Sequence, residues 1–238
     1  MARHLKRVPM KATDLKTKPT ATKWKVLLLD DHPMLRAGLA ELINEQSDLE
    51  VSAEAQSATE AAQAITQCLP DLAIVDLSLG GKSGLEFIKD LHALHPEVKI
   101  LVMSMHNESI YAERVLKAGA RGYVMKTAGG ETVLQAIRDV LAGRISVSPS
   151  LAAQIMNNFA GGNQVANQAN VKGLTDREFE VFTMIGEGCG IQQVADRLHI
   201  SPKTVDVHRQ HVKAKLGLEG NTELIQYAVR WLDAQNRN

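Results

Sequence analysis

The sequence predicts two folded parts in one chain: a doubly wound α/β domain with five parallel strands, then an all-α domain. Short apolar runs without polar alternation recur between helical stretches, the pattern of a parallel sheet covered on both faces. After residue 173 the strand signal stops and only helical periodicity remains. Between the two patterns lies an Asn/Gln-rich stretch that includes Ala160-Gly161-Gly162, the composition of a linker.

The clearest strands are Val26–Leu29, Leu72–Val75 and Ile100–Met103, with weaker ones at Val51–Ala53 and Gly122–Met125. A helix is expected to open near Pro33, and Ser148-Pro149 is expected to open a short one through Leu151, Ile155 and Met156. On this reading residues 1–24 are a basic disordered leader, 25–145 the α/β domain, 146–172 a linker with a short helix, and 173–238 the helical domain.

Charge is partitioned in a similar way. Residues 1–25 carry eight Lys/Arg against one acid, residues 26–145 carry 10 against 17, and the remainder balances nine against nine. The leader is rich in Lys, Thr and Pro and has no apolar face with which to fold. No stretch approaches the roughly 20 apolar residues that cross a bilayer. The N-terminus lacks the apolar core of a signal peptide. The two cysteines, Cys68 and Cys189, stand outside any CxxC pair, so neither a disulfide framework nor a zinc site is indicated. A cytoplasmic location without a membrane partner is expected.

Ligands of open α/β sheets bind beyond the carboxyl ends of the strands. There the first strand runs into Asp30-Asp31, the third into Asp76, the fourth into Ser104 and the fifth into Lys126. Such groups are rarely buried unpaired, so packing alone does not account for all five. Crowded carboxylates repel one another, and a hard cation such as Mg²⁺ relieves that repulsion. Asp76 is placed to attack a phosphoryl group and form an aspartyl phosphate. Lys126 would neutralise charge on the phosphoryl oxygens, and Ser104 would hydrogen-bond one of them. This chemistry describes a switch that handles only its own phosphoryl group, not a turnover enzyme.

Two further patterns carry less. Gly80-Gly81-Lys82-Ser83 lacks the leading glycine of a nucleotide-binding P-loop, since Asp76 occupies that position. His32, His92, His95 and His106 lack ligand spacing and are expected at surface or edge positions.

Asp30-Asp31, Asp76, Ser104 and Lys126, with Tyr123, together resemble the receiver domain of response regulators over residues 25–145, a flavodoxin-like fold. The resemblance implies Asp76 as phosphoacceptor and a Mg²⁺ site from Asp30, Asp31, Asp76 and the Ser78 carbonyl. It implies a switch pair in Ser104 and Tyr123, with Lys126 as the phosphate partner and a sensor histidine kinase as donor. Thr127 stands where many receivers have proline; a cis peptide before it would cost about 3 kcal/mol.

In the helical part, Thr175-Asp176-Arg177-Glu178 forms a capping box. Ile191, Val194, Ala195 and Leu198 make the apolar stripe of a second helix. Ser201-Pro202 then supplies an N-cap and an N1 proline, so two short helices meet at a tight turn. At 100° per residue, Val205, Val212 and Leu216 share the buried face of the third helix, with His208 beside them. Lys203, Asp206, Val207, Gln210 and Ala214 lie opposite, with Thr204 and Lys213 flanking, a surface suited to a major groove. Five Lys/Arg and one acid between Arg197 and Lys215 supply attraction for phosphates.

The run Val194-Ala195-Asp196-Arg197-Leu198-His199-Ile200-Ser201-Pro202-Lys203-Thr204-Val205, with His208 and Lys215-Leu216-Gly217, resembles the LuxR/FixJ/NarL-type helix-turn-helix domain. That resemblance implies an all-α domain of four helices whose third enters the major groove of double-stranded DNA, and a homodimer formed through the last helix, Thr222–Leu232. Asp206 puts an acid on the reading face, so the target sequence cannot be borrowed from relatives. Together the two resemblances imply a phosphorylation-controlled transcription regulator of the NarL/FixJ type. Two rivals stand beside it. A DNA-binding regulator indifferent to phosphorylation has the intact acidic site against it, and an aspartyl-phosphate phosphatase lacks both the DxD motif and a substrate cap.

Overall fold

The computed structural model describes residues 23–79, 84–159 and 171–236. The expectations for the leader up to residue 22, for Gly80-Gly81-Lys82-Ser83 and for the stretch 160–170 lie outside the described residues.

Strands and helices alternate as β1 (Trp24–Leu29), α1 (Pro33–Asn44), β2 (Leu49–Ala55), α2 (Ala58–Cys68), β3 (Leu72–Val75), α3 (Gly84–Leu94), β4 (Lys99–Ser104), α4 (Glu108–Lys117), β5 (Gly122–Met125) and α5 (Gly130–Leu141). All strand pairs are parallel, in the order β2-β1-β3-β4-β5. The chain therefore leaves β1 in opposite directions toward β2 and β3, which opens a crevice at the carboxyl ends of β1 and β3.

The unbroken apolar runs have a simple cause. Val26 and Leu28 of β1 pack with Leu39, Ile43, Val133, Ile137 and Val140 from α1 and α5. Their neighbours Leu27 and Leu29 pack on the other face with Ala61, Ile65, Phe87, Ile88 and Val115 from α2, α3 and α4. β2 and β5 gave weak sequence signals because both are edge strands, and β2 has a register shift against β1 between Val26 and Leu27. β1 begins at Trp24, inside the segment read as leader, and the Lys99 ammonium lies 5.6 Å from the Trp24 ring centroid. Among the described residues no peptide bond is cis, so the Lys126–Thr127 bond is trans.

The helical part comprises α6 (Pro149–Phe159), α7 (Asp176–Gly186), α8 (Ile191–Leu198), α9 (Pro202–Leu216) and α10 (Asn221–Asn236). The capping box at the start of α7 is formed: the Glu178 carboxylate accepts from the Thr175 amide at 2.8 Å, and the Thr175 hydroxyl accepts from the Glu178 amide. α8 stops at His199, which adopts a left-handed conformation (φ 50°), and the Ser201 hydroxyl then caps α9 by accepting from the Thr204 amide at 3.1 Å. This is the tight turn between the two helices. Phe179 and Phe182 centre a core closed by Val194, Leu198, Val205, Val212, Leu216, Leu224 and Ala228.

One glycine ties the fold to the site. A Cβ on Gly84, at the start of α3, would come 2.6 Å from the Asp76 carbonyl oxygen and 2.6 Å from the Leu77 Cα. Both obstacles are backbone and cannot swing away. Gly84→Ala is therefore expected to destabilise the protein by about 1–3 kcal/mol, as overpacking typically does, measured by denaturant unfolding. Unchanged stability would show that the strand end bearing Asp76 is not clamped.

Candidate functional site

Four strand ends deliver the acidic site. Asp30 follows β1, Asp76 follows β3, Ser104 ends β4 and Lys126 follows β5, so the sheet brings together groups scattered over 97 positions of sequence. The Asp76 side chain is fully buried, and Lys126 is 4% exposed. The Lys126 ammonium lies 2.7 Å from Asp30 Oδ2 and 2.8 Å from Asp76 Oδ2. Burial holds the Asp76 carboxyl above its ordinary value, against the opposing pull of Lys126. Burial also works against the Lys126 ammonium, but its bonds to Asp30 and Asp76 outweigh that and raise it. Lys126 therefore stays charged.

Asp76 Oδ1 accepts from the Ser78 amide at 3.1 Å. Asp30 Oδ1 accepts from the His32 amide at 2.8 Å. One atom is left over. Asp31 Oδ1 is buried and has no hydrogen-bond donor, although the His32 Nδ1 lies 2.7 Å away off the bonding direction. Asp30, Asp31, His32 and Asp76 each present a ligand atom, all within 4.8 Å of one another. Three carboxylates in that space, one of them with an oxygen that lacks a donor, suit a hard cation that prefers oxygen donors. His32, expected as a bystander, adds a nitrogen to the rim and is itself exposed.

The residues expected to form a switch, Ser104 and Tyr123, lie on the next strands. Ser104 is completely buried, and its hydroxyl accepts from the His106 amide at 3.1 Å. Tyr123 is buried and donates to the His106 carbonyl at 2.7 Å; burial pushes its phenol pKa up. Both residues converge on His106, whose Nε2 lies 3.1 Å from the Ser78 hydroxyl. His106, expected at a surface or edge position, lies just past the end of β4 and makes contacts that the sequence did not foretell. The residue is half-buried, and the helical domain closes over its neighbour Tyr111.

That closure was not foreseen. The His106 ring stacks on Tyr111 of α4 (centroids 4.6 Å, 29° between planes), and Tyr111 meets Phe179 of α7 edge-on at 5.3 Å. The Tyr111 hydroxyl lies 2.8 Å from Thr183 Oγ1. Arg114 donates to the carbonyls of Val171 and Leu174, pairs with Asp176 at 3.2 Å and covers the Phe179 ring at 4.0 Å. Lys89 also pairs with Asp176. Sequence reasoning missed Tyr111, Arg114, Asp176 and Thr183 because the pairs join residues more than 60 positions apart. Each taken singly reads as ordinary helix packing or capping.

On α9, Lys203, Thr204, Asp206, Val207 and Gln210 are exposed, and Lys213 is half-buried. Val205, Val212 and Leu216 face inward. Arg209 is buried with them and donates to Asp206 Oδ1 at 2.9 Å, which fixes the acid on the outer face. The Thr204 and Ser201 hydroxyls lie 2.8 Å apart.

A buried aspartate beside a lysine at the crevice of a five-stranded parallel sheet, joined to a helix-turn-helix, defines a receiver domain carrying a DNA-binding output domain. Residues 26–138 match the response regulator receiver domain, and residues 172–228 match the luxR family of bacterial regulatory proteins. The oxygen regulatory protein NreC of Staphylococcus aureus (strain MRSA252) is 38% identical over 210 residues, 87% of this chain and 97% of that protein. A LuxR-family response regulator from Aurantimonas sp. SI85-9A1 is 34% identical over 58% of this chain and 99% of that one, with a TM-score of 0.54. RcsB of Salmonella enterica serovar Typhimurium, solved bound to promoter P1flhDC with the phosphomimetic BeF3-, is 25% identical over 87% of this chain and 98% of that one (TM-score 0.60). The chain belongs to the two-component response regulators that join a receiver to a luxR-type DNA-binding domain. It is a phosphorylation-controlled regulator of transcription.

Burial, with help from the positive charges of Arg197 and Lys126, holds the His106 imidazole below its ordinary value, against Glu187. A histidine depressed in the folded state contributes fully above the unfolded value of about 6.5 and loses that contribution as pH falls from there through its lower folded value. The packing around His106 is therefore expected to loosen below about pH 6.5. Trp231, which packs edge-on against Phe179 and Phe182, reports it in a Trp24→Phe background. Its emission should shift on acidification, and His106→Gln should flatten that response; an unaltered response in the variant would assign it elsewhere.

Proposed function

We propose that Asp76 is the residue that carries the phosphoryl group and that a sensor histidine kinase is its donor. The observation that supports this most is a fully buried carboxylate held against a charged lysine that also binds Asp30. In the transfer, a carboxylate oxygen of Asp76 bonds to phosphorus while the phosphorus–nitrogen bond of the donor phosphohistidine breaks, and the departing imidazole takes up a proton. The Lys126 ammonium neutralises charge on the phosphoryl oxygens. The Ser104 hydroxyl, now an acceptor from the His106 amide, turns to donate to a phosphoryl oxygen.

Asp30, Asp31, Asp76 and the Ser78 carbonyl would hold Mg²⁺. The ion, when bound, supplies positive charge that relieves carboxylate repulsion and draws electron density from the phosphoryl oxygens. The orphaned Asp31 oxygen supports this assignment.

In the DNA-binding half, α9 enters the major groove with Asp206, Val207 and Gln210 toward base edges and Lys203, Thr204 and Lys213 toward the backbone. An aspartate held by Arg209 accepts hydrogen bonds only, which favours a cytosine amino group and opposes guanine. Two copies bind a two-fold site, paired through α10, where Ile225 and Val229 are exposed apolar residues one turn apart. The protein acts in the cytoplasm, where both kinase output and DNA are present, and catalyses nothing beyond its own phosphotransfer and dephosphorylation.

Incubation with Mg²⁺ and a small acyl phosphate is expected to label the wild-type chain, measured as a phosphoryl mass increment. Asp76→Asn is expected to lose the label completely, and chelation of Mg²⁺ to suppress it. Label persisting on Asp76→Asn would overturn the assignment of the acceptor.

A further inference from the structure

The receiver and the DNA-binding domain are not strung side by side. One continuous apolar cluster runs from the α2–α4 face of the sheet through Tyr111 into Phe179, Phe182 and the helix-turn-helix core. His106 belongs to both the phosphorylation pocket and that junction. On its pocket side the His106 backbone contacts the Ser104 hydroxyl and the Tyr123 phenol, and its ring contacts the Ser78 hydroxyl. On its other side the ring stacks on Tyr111.

Tyr111 is 3% exposed, and at this buried joint its hydroxyl lies 2.8 Å from Thr183 Oγ1. Thr183 has a single hydroxyl proton, and its oxygen sits 3.0 Å from the carbonyls of Phe179 and Glu180 one turn back. That proton goes to its own helix, so Tyr111 donates and Thr183 accepts.

We infer that the Tyr111–Thr183 bond is a latch holding the DNA-binding domain on the receiver, and that His106 positions it according to the state of Asp76. This rests on the reading of Asp76 as phosphoacceptor. When Ser104 turns toward a phosphoryl oxygen, it gives up the His106 amide. His106 then loses one of its three anchors in the pocket, and the ring supporting Tyr111 is free to shift.

The latch does not mask the reading helix, because Lys203, Thr204, Asp206, Val207 and Gln210 are exposed while it is closed. What it restrains is the orientation of the whole domain, including the end of α10, whose Gln235 carbonyl accepts from the Ser109 hydroxyl of α4 at 3.2 Å. A two-fold DNA site requires two domains in one fixed relation, and a domain gripped by its own receiver is not free to adopt it.

The test uses the full chain and a duplex selected from a random pool by the wild-type protein, with affinity measured before and after acyl-phosphate treatment. Tyr111→Phe keeps both ring contacts and removes only the donor. It should tighten binding of the untreated chain by roughly two- to tenfold, the range for one buried hydrogen bond, and leave the treated chain's affinity unchanged. Thr183→Val should do the same, and the double variant should add nothing, because both remove one interaction. His106→Ala should still take up label yet show a smaller ratio between treated and untreated affinities. Untreated affinity unchanged in Tyr111→Phe, or additive effects of Tyr111→Phe and Thr183→Val, would overturn the latch. Label is followed in the same samples: a wild-type chain that takes none fails the Asp76 reading, whereas the comparison of untreated chains judges the latch by itself.

Discussion

The Lys126 ammonium lies between the carboxylates of Asp30 and Asp76, almost out of reach of water, and much of the α/β half serves to make that contact tolerable. An aspartate buried completely is unfavourable as a charge, and a second and third carboxylate nearby make it worse. The sheet answers with geometry. Parallel strands end together, so the residues just after β1, β3 and β5 share one crevice, and the lysine after β5 reaches both acids. Gly84 lets α3 begin against the backbone of Asp76, holding the strand end in place. The outcome is a pocket that remains under electrostatic tension and that gains from any cation or phosphoryl group able to complete it.

That tension has a route to the other domain. Ser104, Tyr123 and Ser78 all contact His106, and His106 contacts Tyr111, which is buried at the boundary with Thr183 and Phe179. Arg114 and Lys89 secure the periphery by meeting Asp176, which is also the first residue of α7. An acid at that position suits the positive end of a helix, so Asp176 serves its own helix and the receiver together. Among the described residues the domains therefore meet through α4 and the start of α7, with Val171 and Lys172 at the end of the linker bonded to Arg114 and Glu113 of α4.

The α/β half was legible in sequence because burial on both faces writes itself as continuous apolar runs. Its site was legible because a charged residue directly after such a run is costly to bury unless a ligand or a partner compensates it. The helix-turn-helix was legible for a different reason: Thr175, Ser201, Pro202 and Gly217 are local punctuation that needs no tertiary partner. What stayed hidden was non-local. Tyr111 carries no sign that its hydroxyl will meet Thr183 across 72 positions, and His106 carries none that it will contact both Ser78 and Tyr111. Asp206 was visible as an acid on the reading face, but not the buried Arg209 that fixes it there, since a basic residue so close to the inner face is read as solvated. Trp24 was lost to the leader because a basic segment precedes it without a break.

The central claim is that a phosphoryl group on Asp76 loosens the contact between α4 and α7. Hydrogen exchange on the full chain, with and without acyl phosphate and Mg²⁺, addresses it most directly. The account predicts faster exchange at amides of Glu108–Lys117 and Asp176–Gly186 in the labelled protein, with those of β1 and β3 unaltered. Equal or slower exchange in both helices, in protein shown to carry the label, would contradict it.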